Sequence, residues 1–153
     1  MYSYDRIYRS IIYFVSMFVP SGVYVVDGES YGIRLDDPAG KQPSIAVNIE
    51  QSSDISIELG SFATRFDVVL TISAKSRIQR DALKTIVHSG ILSNVVPIYT
   101  SFTNNIPSSG AVIERYLEAA DYFKLKDMPN LETDREKFFW NAVCFVTLDT
   151  FGY

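Results

Sequence analysis

The fold is decided by residues 58–90, which read ELGSFATRFDVVLTISAKSRIQRDALKTIVHSG. In the first half of this stretch, apolar residues occupy every second position from Phe66 to Ile72, which is typical of a strand with one buried face. Ser76 and Gln79 then fit a capping box, in which each side chain bonds a free backbone N–H at the start of a helix. We therefore predict a strand that leads directly into an amphipathic helix packed on the same sheet.

This central helix is predicted to run from Ser76 to Ser89. Its apolar residues recur at helical spacing and should face the core: Ile78, Ala82, Leu83, Ile86 and Val87. Its charged residues should face solvent: Arg77, Arg80, Asp81 and Lys84. Gly90 should end the helix, because glycine readily adopts the left-handed conformation found after many helices.

The N-terminal region, Tyr4 to Val19, also has the spacing of an amphipathic helix. Its apolar stripe comprises Ile7, Tyr8, Ile11, Ile12, Val15 and Phe18. The apolar run from Ile11 to Val19 is too short to cross a bilayer, which takes about 20 residues, although its length would suit a signal peptide. The stripe already begins at Ile7, which favours a helix that stays docked on the domain.

Further strands are indicated by alternating or continuous apolar runs at Val23–Val26, Tyr31–Leu35, Ser44–Ser52, Asp54–Leu59, Val95–Thr100 and Lys137–Thr147. The first two are expected to form a hairpin around the Asp27-Gly28 turn. The next two are either neighbours or one strand interrupted by a bulge. Pro97 favours an edge position for the fifth, and the continuous apolar run of the sixth is typical of a sheet centre.

Two parts of the chain lack a clear period. Residues 111–128 are predicted to form a short helical or extended piece that ends in a strand from about Tyr122. The segments 36–43 and 103–110 are polar and rich in glycine, proline and asparagine, so they should be loops, and the second should be the least structured part of the chain. We therefore expect one α+β domain over residues 1–153, with both helices packed on a mostly antiparallel sheet.

Composition restricts the classes of function. A formal net charge of −4 argues against a protein that coats nucleic acid, because phosphate binding needs concentrated Lys and Arg. The chain contains ten tyrosines and ten phenylalanines. That abundance suits either extensive subunit contacts or a β-rich core, since aromatic residues are enriched in both.

Catalytic and metal-binding chemistry finds little support. The chain has one histidine, His88, and one cysteine, Cys144, which excludes an ordinary zinc site. His88 is expected to interact with the end of the central helix, and Cys144 to be a small buried hydrophobe. The Gly40-Lys41 pair lacks the other residues of a phosphate-binding loop. We therefore predict no cofactor and no enzymatic activity.

A set of residues around the central helix resembles the neck or tail-completion (tail-terminator-like) proteins of tailed bacteriophages. The shared pattern is ELGS before an arginine-containing strand, followed by AK-x-R-x-QRD-x-L at the helix start. In this chain it falls on Glu58, Leu59, Gly60, Ser61, Ala74, Lys75, Arg77, Gln79, Arg80, Asp81 and Leu83. The resemblance is specific over this stretch and elsewhere rests on the order of elements.

The resemblance implies a tail-terminator-like fold and a structural role in the virion, at the junction of head and tail. Such a chain forms a homo-oligomeric ring, a hexamer by the family's usual tail symmetry, that caps the tail tube and joins it to the head connector. Its partners would be copies of itself and the connector, tail-tube and sheath proteins. Assembly would take place in the host cytoplasm, without a membrane, and genome DNA would pass through the ring without sequence-specific binding.

Candidate contact residues follow from this role. Arg77, Arg80, Asp81 and Lys84 are candidates for salt bridges between subunits, although an ordinary solvated helix face would look the same. Loop residues are candidates for contacts with the rings above and below: Asp36, Asp37, Lys41, Asn104 and Asn105. The alternatives are a tail-tube or connector subunit, and a small non-virion module that binds another protein.

Overall fold

The computed structural model describes residues 3–28, 43–58, 61–127 and 140–151. The helices are α1 (Tyr4–Phe18) and α2 (Arg77–Ser93). The strands are β1 (Tyr24–Asp27), β2 (Ser44–Glu58), β3 (Ser61–Ala74), β4 (Val96–Tyr99), β5 (Phe102–Thr103), β6 (Ile106–Pro107), β7 (Ile113–Asp127) and β8 (Trp140–Phe151). The predicted order of a long strand followed by an amphipathic helix is confirmed by β3 and α2.

Six of the strands form one sheet in the order β1-β2-β3-β8-β7-β4. The pair β1–β2 is parallel, and the other four pairs are antiparallel. The mixed α+β class with a mostly antiparallel sheet is therefore confirmed. The predicted hairpin partner of the first strand, Tyr31–Leu35, lies outside the described residues.

The core lies between one face of this sheet and the two helices. On β3 the alternating side chains Phe66, Val68, Leu70 and Ile72 are buried, as their spacing predicts. The core side of α1 contributes Ile7, Ile11, Ile12 and Val15, and α2 contributes Leu83, Val87 and Ile91. Ser73 is an exception to this alternation, because it directly follows the buried Ile72 and is itself fully buried.

The strands are longer than the sequence pattern suggests. Residues 44–58 form one strand with a register shift between Ile49 and Gln51, which confirms the bulged alternative. Residues 113–127 form one strand with an irregularity between Ala119 and Phe123, so the helical alternative for this region is wrong. The strand β8 pairs with β3 on one side and β7 on the other, which confirms its place inside the sheet.

Helix α1 covers both edges of the sheet. It contacts β1 and β2 on one side and β4 on the other, so the sheet curls around it. The hydroxyl of Tyr8 accepts a hydrogen bond from the N–H of Ile49 at 2.8 Å, and Ser10 Oγ accepts one from the N–H of Tyr99 at 3.1 Å. The first bond joins α1 to β2, beyond the part of that strand that pairs with β1, and the second joins α1 to the edge strand β4.

Gly90 does not end α2, contrary to the prediction. The helix continues to Ser93, and Gly90 lies inside it at a close approach to α1. A Cβ atom at this position would lie 2.8 Å from two ring carbons of Phe18. The glycine is therefore explained by helix–helix packing, which a local pattern of turn residues does not reveal.

The segment 103–110 is more ordered than predicted. It contains the hairpin formed by β5 and β6, whose turn residues Asn104 and Asn105 have φ angles of 51° and 64°. Consecutive positive φ values are the geometry of tight hairpin turns, and asparagine tolerates them better than most residues. The expectation that this was the least structured segment is therefore wrong. In the described part of the chain, no helix is long and apolar enough to span a bilayer.

Candidate subunit interface

The start of α2 is held by reciprocal side-chain hydrogen bonds. Ser76 Oγ accepts a hydrogen bond from the N–H of Gln79 at 3.1 Å, and Gln79 Oε1 accepts one from the N–H of Lys75 at 2.8 Å. The predicted capping box is confirmed, with the return bond made to the residue before the cap rather than to the cap itself. These bonds satisfy N–H groups that a helix start otherwise leaves free.

Arg80 was expected to face solvent, but it is 9% exposed. Its Nη2 lies 3.3 Å from Asp127 Oδ2 on β7, and its guanidinium carbon lies 5.3 Å from the centroid of the Trp140 ring on β8. A planar guanidinium suits both a carboxylate and an aromatic face. Arg80 therefore joins α2 to two strands of its own subunit and is not free to bind a neighbour.

Of the other three predicted residues, Lys84 also binds the Asp127 carboxylate, whereas Arg77 and Asp81 pair with each other. Lys84 Nζ lies 2.6 Å from Asp127 Oδ1, and Arg77 Nη1 lies 3.2 Å from Asp81 Oδ2. The side chain of Arg77 is 62% exposed, and that of Asp81 is partly exposed. Arg77 and Asp81 thus remain accessible to a partner, whereas Lys84 is held mainly within the subunit.

Sequence reasoning missed Asp127, the residue that organises this cluster. It is the last residue of β7, next to Lys126, and the sequence pattern there predicts only an ordinary surface carboxylate. Only the pairing of β7 beside β8, opposite α2, brings it to Arg80 and Lys84.

The second group of predicted contact residues is only partly described. Asp36, Asp37 and Lys41 lie outside the described residues. Asn104 and Asn105 form the turn of the β5–β6 hairpin, and Asn105 Oδ1 accepts a hydrogen bond from Arg9 Nη1 at 3.1 Å. The hairpin is therefore tied to the N-terminal half of α1.

Three exposed apolar side chains lie in the hairpin and at the start of β7, and we refer to them together as the hairpin patch: Ile106, Val112 and Ile113. Their exposed fractions are 59%, 62% and 42%. Arg6 Nη1 lies 3.1 Å from Glu114 Oε2 at the start of β7, so this end of the strand is also fixed to α1. The hairpin and the start of β7 are thus each bonded to α1 through an arginine side chain.

A groove lies near the C-terminal end of α1, with a volume of about 240 Å³. It is lined by Ser10, Tyr13, Phe14, Met17, Asn94, Val95, Pro97 and Tyr99, and we call it the helix-end groove. Met17 is 67% exposed and Val95 is 41% exposed. Burial, with smaller effects from Tyr13 and Tyr116, raises the pKa of Tyr99.

A second cavity, of about 300 Å³, opens on the sheet face opposite the helices. Its lining includes Glu50 at the β2 bulge, Asp67 on β3 and Tyr122 at the β7 irregularity. Gln51 Nε2 donates a hydrogen bond to Asp67. Within the described ranges, no three His, Cys, Asp or Glu side chains are grouped so that they could hold a metal ion.

The two residues considered for chemistry have different surroundings. Cys144 is fully buried in β8, and burial raises the pKa of its thiol to about 12, which confirms the small-hydrophobe interpretation. His88 was expected at the end of α2, but the helix extends to Ser93 and the last turn contains no basic residue. Its ring instead lies against Phe123, with 5.1 Å between centroids.

Comparisons with known proteins do not assign the chain to a family. No protein-family model matches it, and no curated protein matches it.

Proposed function

We propose that this chain is a structural subunit of a tailed-bacteriophage virion that assembles with copies of itself into a ring at the junction of head and tail. The proposal starts from the resemblance around the start of α2. The observation that carries it is the presence of two unlike apolar surfaces on one subunit, the hairpin patch and the helix-end groove. A subunit that binds itself head to tail needs such a pair.

The two surfaces share no residue. The hairpin is bonded to Arg9 of α1 and the start of β7 to Arg6 through Glu114, while Phe14 and Met17 line the groove. The groove is concave and partly lined by apolar side chains, and the hairpin patch supplies exposed apolar side chains that would fill it in a neighbouring copy.

A head-to-tail contact of this kind propagates from copy to copy and closes into a ring when its rotation closes. Placing Ile106 of one copy in the groove of the next would remove an isoleucine side chain from water, which contributes about 1.5–3 kcal/mol. Six such contacts would form the hexamer expected from the tail symmetry. Arg77 and Asp81 remain candidate polar contacts between neighbours.

The ring would cap the tail tube and join it to the head connector. Its negative net charge suits a channel through which DNA passes without being held. The Asn104–Asn105 turn projects beside the hairpin patch and is a candidate contact with an adjoining ring, together with Asp36, Asp37 and Lys41. These assignments follow from the family resemblance.

The head-to-tail contact is tested with two charged variants. Ile106→Asp alters the hairpin patch and Met17→Asp alters the groove, and each variant alone should lose the ring in sedimentation velocity and negative-stain images. Mixed together, they retain one intact patch and one intact groove, so they should form a single dimeric contact that cannot propagate. Tyr122→Asp, at an exposed position outside both surfaces, is the matched control and should keep the ring.

Rings that persist in Ile106→Asp and Met17→Asp would contradict this contact. Stacks of rings that grow without limit would favour the tail-tube alternative, and a wild-type chain that stays monomeric at high concentration would favour the binding-module alternative. The virion role is tested by electron microscopy of particles from a phage that lacks this chain, with and without the protein supplied in trans. DNA-filled heads apart from tails, or tails of uncontrolled length, would support it, and normal infectious particles would contradict it.

A further inference from the structure

The outer face of α2 carries a stripe that the core does not use. All five of its residues are exposed, and they follow one another at intervals of four, three, four and three residues: Ile78, Ala82, Thr85, Ser89 and Leu92. This is the spacing of residues that meet along a seam between two helices. Ile78, at 74%, is the most exposed of the large apolar residues in the described ranges.

The two hydroxyls in this α2 stripe are already bonded within the helix. Thr85 Oγ1 donates to the carbonyl of Asp81 at 3.0 Å, and Ser89 Oγ donates to the carbonyl of Thr85 at 2.7 Å. Covering them would therefore leave no hydroxyl proton without an acceptor, which is the main cost of burying such groups. A partner would therefore contact a row of methyl and methylene groups, with the smaller side chains in the middle of the stripe and the larger ones at its ends.

The charges at the ends of α2 indicate what the partner is. Its first turn has no acidic residue and its last turn has no basic residue, so neither end of the helix dipole is neutralised. A second α2 running in the opposite direction would place the positive end of each helix beside the negative end of the other, whereas a parallel copy would place like ends together.

We propose that α2 pairs with α2 of a second copy of this chain, antiparallel, about a two-fold axis near Thr85. Ile78 and Leu92 lie equally far on either side of Thr85 in the sequence, so each would pack on the other across the axis. The small residues Ala82 and Ser89 would allow close approach near the centre. Asp81, which is partly exposed, would lie beside His88 of the second copy, and this contact would occur twice.

This two-fold contact uses none of the residues of the hairpin patch or the helix-end groove. It does not rest on the proposed ring, and the two contacts can coexist, in which case they would join rings in pairs. Ile106→Asp should therefore abolish the ring and leave α2 pairing intact, so that failure of one proposal is distinguishable from failure of the other.

Disulfide cross-linking tests the geometry directly, because Cys144 is fully buried and will not compete. Thr85→Cys should form a disulfide dimer under mild oxidation. Its rate should exceed that of Lys126→Cys, an exposed control on β7, by about 1,000-fold, since pairing raises the effective thiol concentration from micromolar to millimolar. Equal rates for the two variants would overturn the proposal.

The direction of pairing is tested with the outer positions. In an antiparallel pair, two copies of residue 78 are separated by about 21 Å at 1.5 Å per residue, too far for a disulfide. Ile78→Cys alone should therefore not cross-link, but it should do so when mixed with Leu92→Cys. Rapid self-linking of Ile78→Cys would indicate a parallel contact and refute the arrangement.

The energetics are tested at the axis itself. Thr85→Arg would bring two positive charges together and should raise the dissociation constant of the dimer by about tenfold or more, measured by sedimentation velocity. Thr85→Ala is the matched control and should retain pairing. Arginine and alanine both favour helix more than threonine does, so loss of dimer in Thr85→Arg alone would not reflect loss of the fold. Unchanged association in Thr85→Arg would contradict the proposal.

Discussion

Gly90→Ala is a sharp test of how the two helices pack, because two physical effects of opposite sign meet at this position. In the interior of a helix, alanine is favoured over glycine by about 1 kcal/mol. The added methyl carbon, however, would lie 2.8 Å from two ring carbons of Phe18 and 2.9 Å from a third. Contacts this short require the ring or the helix to move.

Overpacking of this kind typically costs about 1–3 kcal/mol. Subtracting the helix-propensity gain of about 1 kcal/mol leaves a net loss of about 1 kcal/mol as the central expectation. In a domain of this size such a loss lowers the melting temperature by about 2–4 °C. Urea unfolding followed by far-UV circular dichroism would measure it, with Ser89→Ala on the exposed side of the same helix as a control expected within about 0.5 kcal/mol of wild type.

The decisive comparison is a double-mutant cycle with Phe18→Ala. Once the ring is removed, the clash is gone, so Gly90→Ala should now stabilise the protein by about 1 kcal/mol. The sign of the substitution should therefore invert, with a coupling free energy of about 1–3 kcal/mol. A stabilising Gly90→Ala in the wild-type background, or additive effects in the cycle, would refute the packing argument.

Three further predictions concern single side chains. Tyr8→Phe should destabilise by about 1–3 kcal/mol in urea unfolding, because the partly buried N–H of Ile49 loses its acceptor; an unchanged midpoint would show that water replaces the hydroxyl. Ser76→Ala should cost about 0.5–2 kcal/mol by the same assay, because the N–H of Gln79 loses its cap, and Ser76→Asp should restore it. Cys144 has its pKa raised from 9.0 to about 12 in the folded chain, so its contribution to stability is fully present below pH 9 and is lost as the pH rises from there towards about 12. Unfolding free energies measured above pH 9 should thus fall more steeply for wild type than for Cys144→Ala, and parallel slopes would contradict the burial argument.

Parts of the fold that depend on local periodicity were predictable. The alternation of β3 identified its buried face from Phe66 to Ile72, and the spacing in α1 identified Ile7, Ile11 and Val15. The cap formed by Ser76 and Gln79 was also readable, because both partners lie within one turn. Each of these features is decided by neighbours in sequence, so a linear pattern contains the information.

The candidate interface was less predictable. The helical stripe of α2 was rotated in the prediction, since Ile78 and Ala82 proved exposed while Arg80 proved buried. Hydropathy assigns arginine to solvent, but a distant carboxylate, Asp127, and the ring of Trp140 compensate for its burial. The face that α2 leaves exposed could therefore not be identified until its inner face was known.

The sequence by itself determined the class of the protein: an α+β chain with a capped amphipathic helix after a half-buried strand, because hydrophobic periodicity and capping act over a few residues. The tertiary structure alone decided why Gly90 is glycine, where Arg80 points, and which strands Tyr8 and Ser10 bond. These outcomes depend on groups that are far apart in the chain and meet only when the sheet curls around α1. Each of these contacts forms between residues that are distant in sequence, so its contribution to stability cannot be predicted from any local segment.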